Sequence, residues 1–228
     1  MRINNLTRRD FNDRCNYWRR CRHPLRFVWW NHKSKKFELF TTDCRPTDDS
    51  IMTIAVGKRR SWRPKRKTST NHDPFGAVNY DLVEELAVKY MQEIGQNYPN
   101  CGYGGHFQMW MFSDDPKPYN SYGNGAAMRV SCAGLAGETE MDALEIATRV
   151  TRVSHDHPEG LKAAEAVTLA IYMAKQGLSK SSIYSRINAD YYSLDFQLDD
   201  IRASYEFDVT CQGSVPQAIK AFIESSIF

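Results

Sequence analysis

Two adjacent carboxylates, Asp48 and Asp49, follow the hydroxyl of Thr47 in "TDDSIMTIAV", residues 47–56, and the text then turns apolar. Hard oxygens gathered this closely suit a divalent cation such as Mg²⁺. They suit a helix start better still, since caps are common and metal sites rare, with Thr47 or Asp48 as N-cap and the carboxylates beside the positive end of the helix dipole. A second group lies in "NSYGNGAAMR", residues 120–129. There Gly123 and Gly125 flank Asn124, a composition that turns backbone N–H groups toward one anion, or that makes a tight turn into a buried segment. A third is "SHDHPEG", residues 154–160, with a His155-x-His157 pair. No cysteine or third histidine stands nearby at zinc spacing. His155 therefore reads better as a hydrogen-bond donor to phosphate or ribose, with Asp156 as a candidate helix cap.

These groups need rigid elements to hold them, and the periodicity predicts helices. "NYDLVEELAVKYMQEIG", residues 79–95, carries Leu82, Val83, Leu86, Tyr90, Met91 and Ile94 as one stripe, with Asn79 at its start and Gly95 as its stop. "TEMDALEIATRVTRV", residues 139–153, predicts a helix capped by Thr139 with Met141, Leu144, Ala147 and Val150 inward. Residues 158–177 predict another, with Pro158 in the first turn, Gly177 at the end, and alanines that permit close helix approach. Short helices are predicted to open at Ser179 and at Ser214. The stretches 96–105 and 113–125 are rich in Gly, Pro, Asn and Ser and read as loops. Few segments alternate as strands do, and no fixed-period repeat occurs. The expected fold class is all-α, a compact multi-helix bundle.

With 228 residues, 42% hydrophobic and 25% charged, the chain has the composition of a globular protein with a sizeable core. No stretch is apolar enough to cross a membrane, and the basic N-terminus lacks the apolar centre of a secretory signal. The 6 cysteines are scattered without a CxxC, which points to reduced thiols and a cytoplasmic location. Charge is asymmetric: residues 1–67 hold 19 Lys+Arg against 6 Asp+Glu, within a chain of net charge +3. The densest basic run, "KRRSWRPKRK" at 58–67, reads as a solvated loop, with nucleic-acid contact as the lesser alternative.

In order and wording these segments resemble the ADP-ribosylglycohydrolase family. "TDDSIMTIAV" is similar to its first metal motif, "SYGNGAAMRVS" to its substrate loop, and "VSHDHPEGLKAAEAVTLAIY" to its histidine-bearing turn and Ala-rich helix, where Thr is usual in place of Ser154. "YEFDVTCQGSVPQAIKAFIES" resembles the segment that leads into the family's last motif. The resemblance implies an all-helical fold and Mg-dependent hydrolysis of the glycosidic bond linking ADP-ribose to a modified side chain or related acceptor. It implies Thr47, Asp48 and Asp49 as metal ligands, with Asp48 and Asp49 at the catalytic centre. Ser121, Tyr122, Gly123, Asn124, Gly125 and His155 become the substrate-binding residues, and Arg129 a structural partner behind the loop, with a phosphate contact as its lesser alternative. Family members carry two Mg²⁺. A Gly-Gly-Asp-x-Asp-Thr motif does not occur in these 228 residues, so at most one Mg²⁺ is expected, with Asp199 and Asp200 the first candidates as substitute ligands. Residues 17–30 show nothing like the family's glycine-rich first helix, which divides the chain into a divergent basic segment, 1–30, and a helical domain, 31–228. The expected partner is ADP-ribose or an ADP-ribosylated substrate. The competing function is ADP-ribose binding without turnover.

Overall fold

The computed structural model describes residues 46–58 and 78–225. The expected boundary at residue 30, Cys15, Cys21, Cys44 and most of the basic run lie outside the described residues. Those residues form helices α1 (Asp48–Val56), α2 (Tyr80–Gly95), α3 (Gly105–Met111), α4 (Gly125–Met128), α5 (Ser131–Ala136), α6 (Glu140–Arg152), α7 (Pro158–Lys175), α8 (Lys180–Asp190), α9 (Leu198–Ile201) and α10 (Cys211–Glu224). Among the described residues the one extended pairing is an isolated antiparallel bridge between Gly123 and Thr210. The fold is all-α, as the periodicity predicts.

Local chemistry explains the starts of the five longest helices. The Asn79 side chain accepts from the Leu82 N–H at 3.2 Å, Thr139 from Asp142 at 3.1 Å, Ser179 from Ser182 at 3.1 Å and Thr210 from Gly213 at 3.1 Å. Each satisfies one orphan donor of a first turn. On α7 the cap is His157, whose Nδ1 accepts from the Glu159 N–H at 3.0 Å, with Pro158 as the first helical residue. Asp156, the expected cap, instead accepts from the Asn120 N–H at 2.7 Å and so ties the two loops together.

Helix α7 is central, packing against α4, α5, α6, α8 and α10. Its small residues make this possible: Ala163, Ala164 and Ala166 are buried. One apolar cluster joins α1, α2, α3, α5 and α6 around Met52, Met91, Trp110 and Val150. The other joins α4, α7, α8 and α10 around Leu169, Ile183, Ile187 and Ile219. The junction of these clusters carries the site.

Three expectations change. On α2 the buried line is Val83, Ala87, Met91 and Gly95, with the other stripe residues half-buried beside it. The helix ends at Gly95 as expected, and the glycine also serves packing, since a Cβ there would collide with the Met111 side chain. Met141 is 80% exposed, and Ala143 and Ile146 face inward in its place. Helix α10 begins at Cys211, one turn before Ser214, which leaves Pro216 inside the helix.

Candidate functional site

Thr47, Asp48 and Asp49 stand at the first turn of α1. Thr47 takes the N-cap position in extended backbone, yet its side chain makes no capping bond. Its hydroxyl donates to Asp49 Oδ2 at 2.9 Å instead. Asp48 is buried, and its N–H donates to Cys101 O at 2.8 Å, which fixes the turn against the loop before α3. The Asp48 charge helps push the Tyr103 hydroxyl and the Cys101 thiol upward, after burial as the larger cause in each. One turn on, the Thr53 hydroxyl donates to Asp49 O at 2.6 Å and reaches Met128 O at 3.0 Å, so α1 is tied to the end of α4. Glycine closes the same seam: a Cβ on Gly57 would lie 2.7 Å from Cys132 Sγ.

The loop before α4 is latched to the start of α10. Asn124 N–H donates to Val209 O at 2.7 Å, Cys211 N–H to Tyr122 O at 2.8 Å, and Asn124 Nδ2 to Asp208 O at 3.3 Å. The Gly123 N–H donates to Ser121 Oγ at 3.1 Å. Two loop amides are therefore engaged within the protein rather than turned together toward a ligand. Neither Gly123 nor Gly125 has positive φ; the left-handed residue here is Asn120, at φ 53. What glycine supplies is close approach. A Cβ on Gly125 would stand 3.0 Å from His155 Nε2 and 3.3 Å from Arg129 Nη2, and one on Gly123 would stand 3.8 Å from His155 Nε2. Tyr122 is half exposed at the rim, edge-on to His157 with centroids 5.1 Å apart.

Behind the loop lies a fully buried guanidinium. Arg129 Nε donates to Gly125 O at 2.6 Å, Nη1 to Ser154 Oγ at 3.1 Å and to Met91 Sδ at 3.1 Å, while its Cζ sits 4.6 Å from the Phe107 ring centroid. Burial lowers its pKa to about 10, a shift that the Asp48 carboxylate partly counters, so it remains cationic at neutral pH. His155 is buried beside it, with Nδ1 at 2.9 Å from Ser154 Oγ and 3.5 Å from Arg129 Nη2. Burial first, then the Arg129 charge, holds its pKa well below the usual 6.5. The ring is neutral. Tyr119 packs edge-on against it at 5.4 Å, and its hydroxyl is raised to about 12, chiefly by burial.

The structure thus gathers the Gly123–Gly125 loop and His155 around Arg129, and brings the buried Asp48 within electrostatic reach of that cation. The importance of Phe107 and Trp110 is absent from the sequence reading, which takes 96–105 as loop and finds no helix at 105–111. Their i, i+3 spacing with Met111 is the signal. Trp110 Nε1 donates to Val153 O at 2.9 Å and so supports the turn carrying Ser154 and His155. Asp199 and Asp200 are exposed on α9, with Asp199 paired to Arg202 at 2.8 Å. Of the basic run, Lys58 is described; it pairs with Glu93 at 3.2 Å and lies 4.2 Å from the Tyr90 ring centroid, while residues 59–67 are outside the described residues. Among the described residues no three His, Cys, Asp or Glu side chains gather as a metal site, and no helix is long and apolar enough to cross a membrane. The side-chain oxygens of Thr47, Asp48 and Asp49 are nonetheless of the hard type that would suit a divalent cation such as Mg²⁺. The family model described as ADP-ribosylglycohydrolase matches residues 7–224.

Proposed function

The chain belongs to the ADP-ribosylglycohydrolase family, and from that premise we propose that it hydrolyses the glycosidic bond joining ADP-ribose to a modified protein side chain or related acceptor. The observation behind this reading is the meeting at Arg129 of the histidine turn and the glycine loop, with the field of the buried Asp48 reaching the same cation. Ser121, Tyr122, Gly123, Asn124 and Gly125 would border the diphosphate and ribose, and His155 would offer one hydrogen bond to the same ligand. Thr47, Asp48 and Asp49 would hold one Mg²⁺. A cation bound there supplies positive charge that orients ribose hydroxyls and polarises a water. The remaining work belongs to the protein. The reaction adds water oxygen to the anomeric carbon, breaks the bond to the acceptor, and leaves a proton on the departing group. Its transition state is oxocarbenium-like, so the carboxylates of Asp48 and Asp49 suit the developing positive charge. The latches at Asn124 and Thr53 fix the loop and α1 relative to each other, which counts because misplacement at the reacting carbon is costly. Scattered thiols, of which Cys101 and Cys211 are free, favour the cytoplasm as the compartment.

Release of ADP-ribose from an ADP-ribosylated protein, with and without Mg²⁺, tests the proposal. The expected result is Mg²⁺-dependent release that Asp48→Asn and Asp49→Asn each abolish. Binding of ADP-ribose with no release in any metal would favour the competing reading, a binding domain without turnover. That reading has its own support in the lack of a third metal-ligating acid among the described residues.

A further inference from the structure

Arg129 is fully buried and makes no ion pair with a carboxylate among the described residues. If packing were its whole purpose, an apolar side chain of similar volume would serve without the desolvation cost of a cation. Its fixed fork does something a hydrocarbon does not. Arg129 Nη1–H donates to Ser154 Oγ at 3.1 Å, which directs the Ser154 hydroxyl hydrogen elsewhere. The neighbour at 2.9 Å is His155 Nδ1, and Arg129 Nη2–H approaches that same nitrogen at 3.5 Å. A guanidinium only donates, so Nδ1 has donors on both sides and serves as the acceptor. The imidazole hydrogen then belongs on Nε2, the nitrogen that faces Gly123 and Gly125. We propose that Arg129 and Ser154 are positioning residues that lock His155 as the Nε2–H tautomer, making it a permanent donor toward an anionic or hydroxylic oxygen held at the glycine loop. The nature of that ligand rests on the function proposed above; the relay itself does not. Met91 Sδ and the Phe107 face complete the pocket around the fork, so the guanidinium has little room to turn away.

The test is nitrogen-15 NMR of the His155 ring in the full chain, paired with calorimetry using ADP-ribose. The expected spectrum of the unliganded wild-type protein is that of a neutral ring protonated at Nε2. Ser154→Ala removes the hydroxyl donor, and a population protonated at Nδ1 should appear with about tenfold weaker ADP-ribose binding. Ser154→Thr returns the hydroxyl and should restore both within about twofold. Because Ser154 lies in a packed turn, circular dichroism and thermal melts accompany each variant, and the wild-type spectrum tests the tautomer whether or not a variant folds. An Nδ1–H ring in the wild-type protein, or a folded Ser154→Ala protein with an unchanged ring spectrum, overturns the relay. Wild-type protein with an Nε2–H ring but no affinity for ADP-ribose would instead remove the ligand assignment and leave the relay standing.

Discussion

A buried imidazole that resists protonation leaves a mark on stability. The His155 pKa is held well below 6.5, by burial and then by Arg129. In the unfolded chain the same ring takes up a proton near its ordinary value. Below about pH 6.5 the unfolded state therefore binds more protons, and acidification favours unfolding, whereas above that value this group contributes no pH dependence. The expected slope is up to about 1.4 kcal/mol per pH unit below pH 6.5. Urea unfolding of wild-type and His155→Gln proteins from neutral pH downward measures it, and parallel curves for the two would show that another group dominates. At this scale the sequence was legible in part. A histidine between loop and helix announces itself, as does the pair of aspartates. Arg129 is expected behind the loop, but not as the keeper of the histidine, because Arg129 and Ser154 are 25 residues apart and only folding turns them toward each other. Asp156 and His157 show the same limit. Both are plausible caps by type, and only the turn geometry gives the cap to His157 and a loop-binding role to Asp156.

Helix packing sets where the loop sits, and one glycine carries much of that burden. In the first turn of α7, a Cβ on Gly160 would stand 2.8 Å from Ser121 O and 3.4 Å from His155 O. Backbone carbonyls cannot swing aside as a flexible side chain does, so either α7 or the 119–123 loop must shift. Gly160→Ala should cost about 1–3 kcal/mol in stability and weaken ADP-ribose binding. Gly104→Ala is the contrast, since nothing lies within 4 Å of a Cβ there. Equal effects from the two substitutions, measured by chemical unfolding and calorimetry, would refute the steric account. Long amphipathic or Ala-rich helices were readable because many turns repeat one pattern, and their caps fell where Asn79, Thr139 and Ser179 predicted. Shorter pieces escaped. Helix α3 has 7 residues, too few for a period to stand out after two glycines. The start of α10 was misread because Ser214 before Val215 and Pro216 imitates a cap and first turn, whereas Thr210 holds that role.

Across the whole molecule the site lies where two apolar clusters meet, with α1 in one and the α4 loop in the other. A ligand spanning α1 and the loop would bind the folded state and nothing in the unfolded chain, so stability itself reports binding. The acidic start of α1 gives the cleanest case. Thr47 leaves its helix uncapped in order to donate to Asp49, and Asp48 is buried with its field on Arg129. Two adjacent carboxylates repel, and the dipole of α1 offsets part of that repulsion. A bound Mg²⁺ would offset more, but with three side-chain ligands and water completing its shell it should bind weakly, with a Kd of about a millimolar. At free Mg²⁺ about ten times the Kd, linkage gives roughly 1.4 kcal/mol of stabilisation. For a chain of this size that is a rise in Tm of about 3–5 °C. Asp48→Asn and Asp49→Asn should each abolish the rise, whereas Asp199→Asn should leave it intact, because Asp199 sits exposed on α9 and pairs with Arg202. Differential scanning fluorimetry over a Mg²⁺ series, with matched NaCl to remove ionic-strength effects, makes the measurement. A shift that survives both α1 substitutions would move the cation elsewhere on the protein, and a shift lost in Asp199→Asn would bring α9 into the site.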